Sequence, residues 1–168
     1  MRSGLLSGLP TAPCRLVRWR IAGLMHDIGK IGVPDRILRK SGRLDDDELG
    51  IVRQHALLGE MIIKDVPNTQ DVLAAVGAHH ERLDGRGYPR GLVGAEIPLL
   101  GRVLAVADAY SAMTTDRPYR AGMSSSEAEA ELRRVAGSQL DSKLVSVFLQ
   151  VLASRTGERL LAEDVAAS

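Results

Sequence analysis

The chain has 168 residues, is 45% hydrophobic and 26% charged, and carries a formal net charge of +1. That balance suits one compact domain with a real core, and it excludes a strongly basic polyanion binder, an acidic disordered tail and a disulfide-stapled mini-domain. Cys14 is the single cysteine, so no internal disulfide can form, as expected in a reducing compartment. At 3% aromatic content the core must be built from Leu, Val, Ile, Ala and Met, and a stacking platform for long nucleic acid is not expected. There are four histidines, His26, His55, His79 and His80, all in the first half of the chain.

The first 25 residues hold Arg2, Arg15, Arg18 and Arg20 but no Asp, Glu or His. Gly4, Gly8, Pro10 and Pro13 interrupt every apolar run there, so residues 1–16 read as an irregular leader rather than a targeting signal. No run of 18 apolar residues occurs, so no membrane span is expected.

Apolar spacing is helical almost throughout. Val17, Ile21, Leu24, Met25 and Ile28 predict a first helix ending near Gly29. Asp45 with Glu48 forms a capping pair for a second, running through Ile51, Val52 and Leu58 to Ile63. A third is predicted from Asp71 to Glu81. A fourth starts at Pro98 and carries Leu100, Val103, Leu104 and Ala107. Ser124 with Glu127 caps a fifth, and Asp141 caps a sixth with a stripe of Leu144, Val145, Phe148, Val151 and Leu152. No alternating strand pattern appears. The reading is an all-α bundle, with a helical domain over residues 17–155 and a C-terminal helical tail over 156–168. Leu83 to Pro89 and Thr114 to Arg120 read as loops.

The polar residues that break this pattern share one chemistry. His26 and Asp27 end the first helix, with Lys30 one turn on, placed to meet an anion. His55 lies beside apolar Ile51, Val52 and Leu58. His79 and His80 are neighbours on the third helix, where adjacent side chains diverge by about 100°, so both can serve one cluster only if they bind different metals or the helix is ending. Asp108 follows Leu104 to Ala107 in an apolar helix, where a carboxylate is costly unless paired, hydrogen-bonded or metal-bound. Four imidazoles and two carboxylates spread over a bundle are enough for two metals sharing a carboxylate. Nitrogen and oxygen ligands without thiolate favour iron, manganese or zinc. Two such ions suit in-line attack on a phosphodiester.

His26-Asp27-Ile28-Gly29-Lys30, His55 with Gly59, His79-His80-Glu81, Asp84-Gly85-Arg86-Gly87-Tyr88-Pro89 and Asp108 to Thr114, in that order, resemble the HD-GYP family. Asp116-Arg117-Pro118-Tyr119-Arg120 and Gly137 to Asp141 are similar to its closing motifs, so the resemblance covers roughly residues 20–152. It implies an all-helical HD-domain bundle that hydrolyses cyclic di-GMP to pGpG or GMP, with a metal-bridging hydroxide as nucleophile. It implies that His26, Asp27, His55, His79, His80 and Asp108 bind two divalent ions, iron or manganese, with Asp27 bridging. It further implies that Lys30 contacts the scissile phosphate, that Tyr88 lies against the nucleotide, and that Arg117 and Arg120 meet substrate phosphates. A bacterial cytoplasmic setting and a diguanylate cyclase or sensory or receiver domain as partner follow from the same resemblance.

The chain departs from the family's pattern in lacking a histidine upstream of His26, so its N-terminal region reads as truncated or divergent. Ser111 and Ala56 stand where the family often has Asp and Pro. An inactive domain that binds nucleotide or a partner protein is the alternative reading. A hydrolase of another phosphorylated nucleotide is a third, disfavoured by the Gly-Tyr-Pro loop.

Overall fold

The computed structural model describes residues 12–116 and 121–166. These residues form eight α-helices: α1 (Ala12–Met25), α2 (Asp35–Leu38), α3 (Asp46–Arg53), α4 (His55–Ile63), α5 (Gln70–Val76), α6 (Leu99–Thr114), α7 (Ser125–Val135) and α8 (Ser142–Ala166). No strand occurs among the described residues, in agreement with the all-α expectation.

The predicted caps are where the sequence places them. Asp45 Oδ1 accepts the Glu48 amide at 2.9 Å while Glu48 Oε2 accepts the Asp45 amide at 3.0 Å, opening α3. Ser124 and Glu127 repeat this box at α7. Asp141 Oδ1 accepts the amides of Lys143 and Leu144, and its Oδ2 takes Arg102 Nη1 at 2.6 Å, so one carboxylate caps α8 and ties it to α6. Pro98 stands one residue before α6, as its N-cap.

Several boundaries differ from the sequence reading. Helix α1 begins at Ala12, so residues 12–16 of the expected leader are helical; Pro13 sits in the first turn, where the missing N–H has no helical partner to lose. The remainder of that leader lies outside the described residues. The same helix stops at Met25 and gives way to a 3-10 turn, Ile28–Gly32, leaving His26 and Asp27 at the junction. The predicted second helix is two, α3 and α4, broken at Gln54. The predicted third helix ends at Val76 with Gly77 as C-cap, so His79 and His80 lie in turns beyond it. A one-residue break hardly disturbs apolar periodicity, and the pattern alone therefore runs through it. Helix α8 continues without a break across the expected boundary at residue 155.

Two apolar clusters share helix α6. Leu100 and Leu104 pack with Ala22, Ile63, Val72, Ala75 and Val76. Val106, on another face, packs with Leu132, Val135, Leu140, Val145 and Leu149. The 3-10 turn after α1 presses on α4 so closely that a Cβ on buried Gly29 would lie 1.9 Å from the His55 carbonyl oxygen and 2.5 Å from the Gly59 nitrogen. Only glycine permits that approach, and the approach is what brings Asp27 to His55.

Candidate metal centre

Asp27 is the hub. Its Oδ1 lies 3.4 Å from His55 Nε2 and 3.9 Å from His79 Nε2. Its Oδ2 lies 3.4 Å from His26 Nε2 and accepts from Lys30 Nζ at 2.5 Å. Asp108 Oδ1 is 3.7 Å from His26 Nε2. The ligating atoms of Asp27, His55, His79 and His80 all lie within 4.8 Å of one another. All six predicted ligands therefore converge, in two sets that meet at one carboxylate. Because α5 has ended, His79 and His80 can both face this cluster, with ring centroids 4.0 Å apart.

Backbone carbonyls orient three of the imidazoles. Nδ1 of His26, His55 and His79 donates to the oxygens of Gly23 (2.7 Å), Val52 (2.6 Å) and Val76 (2.7 Å), each three residues back. A carbonyl only accepts, so the proton is on Nδ1 and, in a neutral ring, Nε2 presents a lone pair to the cluster. His55 and His79 face each other at 3.4 Å between Nε2 atoms. Burial pushes His55 below its usual range, His79 down to about 4 and His80 to about 3, so these rings are neutral at pH 7. His26 behaves differently: the neighbouring Asp108 carboxylate raises it, and the same contact lowers Asp108. Burial pushes Asp27 up, but the Lys30 hydrogen bond and charge, with the neighbouring imidazoles, bring it below its usual value.

These residues fit a divalent cation. Asp27 Oδ1 is buried and accepts no hydrogen bond, although it faces two imidazole nitrogens that have only lone pairs to offer. An unpartnered buried carboxylate oxygen amid converging lone pairs is costly without a positive charge between them. All-nitrogen-and-oxygen donors suit a borderline or hard metal.

The loop after His80 forms the cavity wall. Tyr88 stacks on His80, centroids 4.7 Å apart and planes 25° apart, and burial raises its hydroxyl to about 12. Buried Glu81 anchors the loop, its two oxygens accepting the amides of Arg90 (2.7 Å) and Leu92 (3.0 Å). Arg90 in turn reaches Glu60 of α4. A Cβ on Gly87 would lie 2.4 Å from the Arg82 nitrogen, so the loop folds back flat on its own start. A cavity of about 380 Å³ opens beside it, lined by His79, His80, Tyr88 and Asp108 and by Arg53, which the sequence reading passed over. The anchoring by Glu81, Arg90 and Glu60 was equally unforeseen, since partners 9 to 30 residues apart leave no periodic signal. Ser111 lines a second cavity with His26 and Asp108, and Ala56 is fully buried. Arg117 and Arg120 lie outside the described residues.

The HD domain pattern matches residues 5–144. The chain belongs to the HD domain family. HD-domain hydrolases bind divalent metals, which accords with the Asp–His cluster. A cyclic di-GMP phosphodiesterase of Pseudomonas aeruginosa is 43% identical over 135 residues, 79% of this HD domain chain and 32% of that protein. A 3'3'-cGAMP-specific phosphodiesterase of Vibrio cholerae is 41% identical over 131 residues, 77% of this chain and 30% of its own length. The chain thus spans about a third of the curated relatives it matches. The crystal structure of a cyclic GMP-AMP specific phosphodiesterase from Vibrio cholerae shares the fold, with a TM-score of 0.63 at 18% identity over 83% of this chain and 38% of that one.

Proposed function

We propose that this HD domain is a metal-dependent phosphodiesterase that hydrolyses cyclic di-GMP to pGpG or GMP. The observation that carries the reading is the Asp27 carboxylate, one oxygen buried without a hydrogen bond among His55 and His79, the other turned to His26 and Lys30. Asp27 would be shared by two divalent ions, iron or manganese, which His26 and Asp108 and, separately, His55, His79 and His80 would help to hold. Bound there, such ions supply an acidified water as nucleophile and neutralise phosphoryl oxygens. Identity above 40% to phosphodiesterases acting on cyclic dinucleotides supports the substrate class.

The chain's own residues then have these roles. Lys30, whose Nζ already sits 2.5 Å from Asp27, turns its charge to the scissile phosphate and offsets the negative charge that develops on its oxygens. Tyr88, kept protonated by burial, offers an O–H donor at the cavity wall. Arg117 and Arg120 meet substrate phosphates. The histidine missing upstream of His26 is not essential, because Asp27, His26 and Asp108 already form one set. A sensory or receiver domain, or a diguanylate cyclase, is the partner, in a bacterial cytoplasm; no helix among the described residues is long and apolar enough to cross a membrane.

Purification without oxygen in the presence of ferrous or manganous ion, metal analysis, and chromatography of cyclic di-GMP and 3'3'-cGAMP digests test this. Turnover of cyclic di-GMP to pGpG or GMP is expected. Binding without turnover at two bound metals would assign the chain to the inactive, nucleotide-binding alternative. Faster cleavage of 3'3'-cGAMP would move the substrate to that dinucleotide.

A further inference from the structure

The roles above leave Arg53, among the described residues, without a task. Arg53 is the last residue of α3, exposed, and its guanidinium carbon lies 5.5 Å from the centroid of the Tyr88 ring. Three arginines line the large cavity among the described residues. Arg82 is bidentate on Asp84, at 2.9 and 2.6 Å, and Arg86 lies 3.9 Å from the same carboxylate. Among the described residues Arg53 is the one of the three without an ion pair, and its charge meets the face of an aromatic ring.

Position matters as much as charge. Arg53 sits over Tyr88, Tyr88 stacks on His80, and His80 touches His79, so the guanidinium is two ring contacts out from the ligand cluster. Lys30 instead sits directly on Asp27, at the hub of that cluster. A cyclic dinucleotide has two phosphodiesters on opposite sides of one ring. With one at Lys30 and the metal ligands, the other must lie away from them along the cavity wall. A guanidinium offers a planar fork of donors suited to phosphate, and stacking on Tyr88 leaves those donors free at the edge. Attraction to the carbonyl end of α3 or to the Tyr88 ring explains why Arg53 rests where it does but uses none of them.

We propose that Arg53 binds the second, uncleaved phosphate of a cyclic dinucleotide, held in place over the Tyr88 ring. The inference rests on the phosphodiesterase reading, and the test separates the two. Arg53→Gln and Arg53→Lys are compared with the parent chain for equilibrium binding of cyclic di-GMP to metal-free protein, and for KM and kcat on cyclic di-GMP and on GpG, which has both guanines but one phosphodiester. Loss of a charged hydrogen-bonding pair predicts about tenfold weaker binding of cyclic di-GMP by Arg53→Gln. The loss should fall on KM rather than kcat, be much smaller for GpG, and be partly regained by Arg53→Lys. Equal losses on cyclic di-GMP and GpG would overturn the proposal, since Arg53 would then read a base or the scissile phosphate. Unchanged binding by Arg53→Gln would overturn it too. A parent chain that binds cyclic di-GMP but turns over neither compound removes the enzyme reading alone, and binding by the variants still decides Arg53. A parent chain that binds no cyclic di-GMP removes both.

Discussion

Half-buried Asp27 and buried Glu81 are carboxylates with opposite needs. Glu81 is 3% exposed and has both oxygens satisfied by backbone amides, so it asks for nothing further. Asp27 Oδ1 has no hydrogen bond at all. A substitution at each should therefore give a different loss. Asp27→Asn removes the charge shared by both ligand sets, and metal affinity should fall by more than about 100-fold, beyond the range of an outer-shell change. Metal analysis after dialysis checks this; retention of parent metal content would refute the hub role. Glu81→Gln sets an amide NH2 against an N–H donor, which should lower stability by about 1–3 kcal/mol in urea unfolding and loosen the Tyr88 loop. At this scale the sequence was informative about which side chains matter, because a histidine or aspartate in an apolar run is conspicuous. It was silent on Arg53, a charged residue at a helix end that looks like ordinary surface.

Among the elements, the capped ones were the most legible. Asp45 with Glu48 and Ser124 with Glu127 are local hydrogen-bonding patterns, complete within four residues, and they form as read. The breaks at Gln54 and after Val76 were not legible, because so short an interruption hardly disturbs the apolar periodicity. The turn holding Lys30 is fixed by contact between Gly29 and α4. Gly29→Ala should push the turn off α4, lowering stability by about 1–3 kcal/mol and weakening metal binding together. Unchanged metal affinity in that variant would show that the close approach does not set the site. Leu132, fully buried between α6, α7 and α8, lies away from the ligands. Leu132→Ala should cost about 2–5 kcal/mol while leaving the metal affinity of the folded protein as it was. Thermal unfolding paired with metal titration separates these two effects.

For the whole molecule, the cluster links folding to protons and metal. His79 titrates near 4 and His80 near 3 in the folded chain, against about 6.5 when unfolded, so between those values the unfolded chain binds more protons. Stability of the metal-free protein present above pH 6.5 should be lost progressively as pH falls towards 4 and below. His26 works in the opposite sense, its raised value favouring the folded state until pH rises through it, so it offsets part of the loss. Added divalent metal should raise the melting temperature at pH 7 and do so less at pH 5, since protons compete for the imidazoles. Calorimetry at several pH values, with and without manganous ion, measures both slopes. A melting temperature flat from pH 7 to 4 without metal would contradict the burial of neutral imidazoles.

Helical periodicity, the local caps and the presence of six metal-ligating side chains are properties of the amino-acid order. They depend on spacing within a few residues, and they were sufficient for the all-α class and for the ligand set. Which carboxylate sits at the hub, that His79 and His80 can share a cluster, and that Arg53 faces the same cavity as Asp108 were decided only by the tertiary fold. Those relations join residues far apart along the chain, such as Asp27 with His55 and Arg53 with Asp108, through close packing of Gly29 on α4 and a loop pinned by Glu81. Packing of that kind is a property of the assembled helices, since no local stretch of chain contains both partners.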